Sequence, residues 1–439
     1  MLETLKNAFK VKEVRNRLLF TLAMMVVIRI GCQLPVPGVN REFFSQWFEQ
    51  QTAGTFGFFD AFTGGSFLNM SVLALNITPY ITSSIIMQLL TIAIPKLEEM
   101  QRDGEDGRKK IAAITRYVTV GLALIESAAI AIGFGNQGLL AGDIIAVDYI
   151  VVIAALTAGS AFLMWVGERI TEKGVGNGIS IVLVINIISR IPHDFQNLYD
   201  QFVKGADTIA LGVVAAVVIL AIVLAMVVIV VILNDGVRNI PVQYAKKIQG
   251  RRSVGGQSQN IPLKVNTAGV IPIIFASSLM EFPIVVCQLL GYKGTGVWAE
   301  ILKGLDSSNW CKPSMPQYSI GLLVYVVLVV FFAYFYTSLT FNPLDVSNNI
   351  KKQGGFIPGV RPGKPTTEYL NKILKYIIFI GACGLIIVAV IPYFFNGVFG
   401  ANVSFGGTSL IIIVSVILET VKQIESLLLV RNYKGFLND

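Results

Sequence analysis

Few side chains in this sequence could do chemistry, and their surroundings narrow what that chemistry is. One histidine, His193, lies in the polar stretch "PHDFQNLYDQFVKGAD". Four cysteines (Cys32, Cys287, Cys311, Cys383) form no CxxC pair, and three sit in apolar runs. Ser-His-Asp catalysis, HExxH chemistry and multi-histidine metal sites therefore have nothing to build on. Arg29, Glu126, Glu281, Glu419 and Glu425 are the ionisable residues in or beside apolar runs. Inside a membrane such groups bind ions, relay protons or hydrogen-bond a neighbouring helix. Arg29, near the end of its run, is expected to snorkel to the interface. Glu419 and Glu425 flank Lys422 at helical spacing and are expected to pair with it. Glu126 and Glu281 are expected to make helix–helix hydrogen bonds. "GFGNQG" satisfies GxGxxG but follows an apolar helix and opens no βαβ unit. "GVRPGKP" places Pro365 where a phosphate loop needs Ser or Thr.

The elements that must position these residues are set by composition. Of 439 residues, 54% are hydrophobic and 14% charged. Soluble domains carry about 25% charged residues, so the chain is a membrane protein. Long apolar runs must be helices, because lipid offers no partner to unpaired backbone groups. Ten spans are predicted at about 18–35, 71–94, 112–134, 149–167, 177–191, 209–233, 267–290, 318–341, 373–394 and 408–429, the fifth marginal in length. The basic residues before Leu18 mimic a signal peptide, but "QLPVPGVN" follows instead of a small-x-small cleavage site, which predicts a retained span. Leu2, Leu5 and Phe9 share a helical face, predicting an interfacial segment over 1–17.

Lysine and arginine placement orients the spans. With Arg29 set aside, 28 basic residues fall on the side of both termini and 6 on the other (Arg41, Arg190, Lys204, Lys293, Lys303, Lys312). Both termini are thus cytoplasmic by the positive-inside rule. The expected layout is a half over 18–191, an external hinge connector over 192–208, a half over 209–430 and a tail over 431–439. Five spans per half require the halves to be inverted relative to each other.

Two features do not fit a plain bundle. The cytoplasmic loops 234–264 and 342–372 are basic and punctuated by Ile-Pro, Gly-Gly and Arg-Pro-Gly, which fix backbone shape. Rigid basic tips suit a large anionic or acidic partner. The stretch "GFFDAFTGGSFLNM" (57–70) is too apolar for a solvated loop and too short and broken for a span.

"NITPYITSSIIMQLL", "TEKGVGNGISIV", "IPLKVNTAGVIPIIFASS", "NNIKKQGGFIPGVRPG" and "FGGTSLIII" closely resemble the SecY family, the large subunits of bacterial protein-conducting channels. The motifs occur in order and span nearly the whole chain. The resemblance implies an all-α polytopic hourglass of ten helices in two inverted halves. Its implied role is to translocate unfolded preproteins and release hydrophobic segments sideways into lipid. It implies no catalysis and no cofactor. The implied partners are SecE-like and SecG-like small membrane subunits, the SecA ATPase, the ribosome, a preprotein with its signal sequence, and lipid. The implied setting is the bacterial plasma membrane.

By motif, the family's pore ring falls on Ile77, Ile81, Ile179, Leu183, Ile274 and Ile412. A ring of aliphatic side chains dewets, blocking ions yet yielding to a chain of any sequence. The plug falls at about 56–70, with Phe58, Phe59, Asp60, Phe62, Gly64, Gly65 and Phe67. The lateral gate is expected to set Thr82 and Gln88 opposite Asn266 and Phe282, with Glu126 nearby. The SecA- and ribosome-binding residues are expected to be Lys246, Lys247, Arg251, Arg252, Arg361 and Lys364. Two other readings stay open on the residues alone. A small-solute transporter with inverted repeats would leave the basic loops unexplained, and an intramembrane enzyme would lack a catalytic constellation.

Overall fold

A computed structural model of the chain describes residues 6, 8–39, 44, 63–135, 146–204, 209–244, 247–249, 252–254, 258–289, 296–399 and 407–435. An apolar helix stands at each of the ten predicted spans. The first three are α1 (Lys12–Gly31), α2 (Thr78–Ala93) and, after the short α3 (Pro95–Arg102), α4 (Glu105–Gly135). Next come α5 (Ala146–Lys173), α6 (Gly178–Leu198), α7 (Ile209–Asp235) and α8 (Ile271–Leu289). After the short α9 (Val297–Leu305) follow α10 (Ile320–Thr340), the loop helix α11 (Pro343–Lys352), α12 (Lys364–Phe399) and α13 (Gly407–Gly435). Six of these helices pass on length and apolarity alone, and a seventh if α2 and α3 count as one bent span.

The second span begins at Thr78, not at residue 71. Residues 71–77 form turns, Asn76 adopts φ +53°, and Pro79 sits in the first helical turn, where its missing N–H costs nothing. The same helix ends at Ile94, which is held extended by Pro95, and α3 leaves at a bend of 107°. The fifth helix runs longer than predicted. It continues through Pro192 to Leu198 and then a π-helical turn (Tyr199–Lys204), so the expected connector is helical from 192 to 204. Of the expected interfacial face, Phe9 is exposed, while Leu2 and Leu5 lie outside the described residues.

Sequence reasoning missed a sheet in the cytoplasmic loops. Strand β1 (Val237–Tyr244) pairs antiparallel with β4 (Ser258–Lys264) and with β5 (Gly355–Phe356), while β2 (Lys247–Gln249) and β3 (Arg252–Val254) form a separate hairpin. Ile240, Val242 and Leu263 bury against Ile350 and Ile357 and against Leu370, Ile373, Leu374 and Ile377 of α12. The 36 residues of α12 rise roughly 1.5 Å each, well beyond a bilayer core of about 30 Å. The surplus therefore projects out of the membrane and supports the sheet. Both basic loops are thus one body, joined through β1 and β5.

In the connector before α10, Trp310 is buried and its indole N–H donates to Gly304 O, pinning α9 onto the start of α10. The Tyr318 hydroxyl donates to Glu300, which also pairs with Lys303 at 3.1 Å. These two partners hold the Glu300 carboxyl below the usual carboxylate range.

Candidate functional site

The site begins at the start of α6. Asn177 caps this helix, its side-chain oxygen accepting from the backbone of Ile179 and Ser180. Gly178 lies so close to α5 that a Cβ there would stand 1.9 Å from Gly167 O, and a Cβ on Gly167 would meet Ile179 Cδ1 at 2.8 Å. Glycine at both positions lets the backbones touch and aims Ile179 inward. Leu183 follows one turn later on the same face.

All six predicted ring residues meet in one apolar cluster. Ile77, Leu183 and Ile412 are buried in it, and Ile81, Ile179 and Ile274 are half-buried and pack against it. They come from four separate elements: the start of α2, α6, α8 and α13. The six ring residues therefore lie up to 335 positions apart, between Ile77 and Ile412.

The described part of the predicted plug, Thr63–Met70, is mostly a run of turns, with Gly64 against Asn186 of α6 and with Phe67 and Met70 in a second buried cluster. Phe58, Phe59, Asp60 and Phe62 lie outside the described residues. Phe67 is buried and meets Phe44 and Phe134 edge-on or tilted, at 6.1 and 6.2 Å. Gly64 and Gly65 take φ +64° and +83°, a region that favours glycine. Against expectation, Arg29 does not snorkel. Its guanidinium turns inward and donates to Gly64 O at 3.5 Å and Asn186 Oδ1 at 3.4 Å. Uncharged oxygens on neighbouring segments hold it better than a 20-residue helix end could in lipid.

The helices expected to form the lateral gate are joined in pairs. Ser83 of α2 shares a 2.6 Å hydrogen bond with Thr119 of α4, and Phe275 of α8 stacks on Phe332 of α10 at 5.1 Å. Across the seam, α4 touches α8, and Gln88 of α2 lies near the Tyr336 hydroxyl of α10. Thr82 and Glu126 are half-buried on α2 and α4, and Phe282 is exposed on α8. Asn266 departs from expectation. Its amide donates to Asn234 Oδ1 at 2.9 Å, and Asn234 in turn donates to Ser415 Oγ, so it faces α7 and α13 rather than Thr82 or Gln88. Tyr336 is the cross-seam neighbour that sequence reasoning missed; one of two tyrosines in "FFAYFYTSL" gives no signal. The Glu281 side chain lies outside the described residues.

Lys422 also departs from expectation, reaching Asp235 of α7 at 2.8 Å instead of settling between Glu419 and Glu425. On the cytoplasmic body, Arg361 and Lys364 are exposed. The backbone around Arg361 is held by Thr366 Oγ1 donating to Arg361 O at 2.8 Å and Ser347 Oγ donating to Gly363 O at 3.0 Å. Lys247 and Arg252 fall on the β2–β3 hairpin, and Lys246 and Arg251 lie outside the described residues. Among the described residues, no group of three or more His, Cys, Asp or Glu could hold a metal.

These features define a mainly helical, multi-pass membrane protein whose spans share one aliphatic centre and whose two basic loops form one body. Comparison with known proteins is specific. The sequence pattern of the SecY family matches residues 71–421, so the chain belongs to that family. It is 44% identical to the protein translocase subunit SecY of Halalkalibacterium halodurans over 443 residues, covering all of both chains. It is 40% identical to the protein translocase subunit SecY of Bacillus subtilis, again over the whole of both. In fold it is similar to a structure of a protein-conducting channel, with TM-score 0.62, 20% identity and 94% and 92% of the two chains covered. The Sec61 channel in a canine ribosome–channel complex from the endoplasmic reticulum gives TM-score 0.62 at 18% identity with the same coverage.

Proposed function

We propose that the chain is the central subunit of a protein-conducting channel in the bacterial plasma membrane, with both termini in the cytoplasm. It passes unfolded preproteins outward and releases hydrophobic segments into lipid. One observation carries this reading: six aliphatic side chains from four elements converge on one cluster, with Gly64 of the segment 56–70 set against Asn186 on the helix that carries Ile179 and Leu183. Aliphatic walls form no lasting bond with a passing chain, and water leaves such a constriction when it is empty. The helices 18–191 and 209–430 act as two inverted halves about the connector 192–208.

The seam between α2–α4 and α8–α10 is the lateral gate, and the segment 56–70 is the plug. The channel has no nucleotide site of its own, so energy comes from a docked partner. The body built from 234–264 and 342–372 is where SecA or a ribosome sits, with Arg361 and Lys364 presented on a fixed backbone. SecE-like and SecG-like small subunits complete the assembly. The test is reconstitution of the chain with its small subunits in liposomes, with SecA, ATP and a preprotein. Protease-protected preprotein is the expected result, and none despite an intact complex would overturn the reading.

A further inference from the structure

The inward-turned Arg29 and its partners form a connected polar group just beyond the aliphatic cluster. Gly64 O accepts from Arg29 at 3.5 Å, and Ser189 Oγ, whose shorter bond runs to Asn186 O at 2.7 Å, approaches Gly64 O at 3.5 Å. Asn186 Oδ1 accepts from Arg29 at 3.4 Å and from the Cys32 thiol at 3.8 Å, while Asn186 Nδ2 donates to Asn76 Oδ1 at 3.1 Å. Gly64 sits so tightly on α6 that a Cβ there would lie 2.4 Å from Asn186 O. One backbone carbonyl of the plug segment is thus held by side chains from α1 and α6.

We propose that Arg29, Asn186 and Ser189 are a releasable lock on the plug, opened when α6 moves. This rests on reading 56–70 as the plug. Leu183, Asn186 and Ser189 follow one another at three-residue steps along α6, so displacement of Leu183 by a substrate carries both lock residues away from Gly64. The contacts to Gly64 are longer than the usual 2.7–3.2 Å of a strong N–H···O bond, as a lock that must yield requires. Arg29 supplies the grip: a charged donor strengthens each bond, and its acceptors are uncharged, so no ion pair has to be broken for release.

The test uses the chain assembled with its small subunits in liposomes, with Phe67→Cys as reporter and Cys287, Cys311 and Cys383 replaced by serine. An impermeant maleimide added on the external side reads how often Phe67 leaves its buried place. Arg29→Ala, Asn186→Ala and the milder Ser189→Ala should each speed labelling about tenfold, the change expected from losing one modest hydrogen bond. Arg29→Lys should recover part of the protection. A second reporter, Val388→Cys on α12, buried in a separate cluster, should stay protected in every variant. Parental labelling in the alanine variants overturns the lock, as does equal exposure at Val388. A separate deletion of 57–67 reads the plug itself: if it raises ion leak while the lock variants label normally, the plug reading stands and the lock alone fails. If the deletion leaves leak unchanged, the plug reading fails.

Discussion

Asn186 Nδ2 donates to Asn76 Oδ1 over 3.1 Å, tying the helix that carries Ile179 and Leu183 to the residue just before Ile77. Two of the elements that build the aliphatic cluster are therefore linked by a polar contact immediately outside it. Both asparagines are buried, so breaking the pair leaves unmet polar groups. Asn76→Leu should loosen the cluster at rest, read as raised ion conductance in planar bilayers.

The plug segment should act as a seal and not as a conduit. Deleting residues 57–67 removes the Gly64 turn and the Phe67 contact with Phe44 and Phe134. Ion leak should rise more than preprotein transport falls, as measured side by side in the same proteoliposomes.

Close backbone approach should set the stability of α6. Gly178→Ala would force a Cβ to within 1.9 Å of Gly167 O. Overpacking of this kind costs about 1–3 kcal/mol. The expected outcome is a lower thermal unfolding midpoint for the purified complex, with Ser180→Ala as an unaffected neighbour.

At the gate, Tyr336→Phe removes the hydroxyl that meets Gln88 across the seam. Interhelical hydrogen bonds in membranes contribute roughly 0.6–2 kcal/mol. The variant should export substrates with less hydrophobic signal sequences. Glu126→Leu, in the half-buried acid of the same helix pair, should shift that threshold too; an unchanged threshold in both would remove the gate assignment.

On the cytoplasmic body, Arg361→Glu reverses a charge on a backbone fixed by Thr366 and Ser347. Transport driven by SecA should be lost while membrane insertion of the chain is normal. Normal transport by this variant would remove Arg361 from the docking surface.

Much of this was legible in the sequence because membranes simplify folding. Apolar runs long enough to cross lipid have one available backbone form, so an apolar helix could be placed at each of the ten stretches. Spacing also put Ile179 and Leu183 on one face of α6. What escaped depended on contacts between distant elements. Arg29 gave no sign that it would prefer Gly64 and Asn186 to the interface, and Lys422 found Asp235, 187 positions away. The strands of the cytoplasmic loops were hidden by their prolines. Pro241 and Pro262 lie in β1 and β4, and residues poor in strand propensity are tolerated there because Ile240, Val242 and Leu263 bury against α12. The plug was visible only as a stretch that fitted nothing else.

Cross-linking to a stalled substrate tests the central claim most directly. A preprotein halted midway through the complex, with a single cysteine in its trapped segment, is oxidised against Ile81→Cys, Ile179→Cys, Ile274→Cys or Ile412→Cys. Disulfides should form at all four positions, since they surround one path, and not at Leu224→Cys on the exposed face of α7. Cross-links at Leu224 but at none of the four would contradict the account.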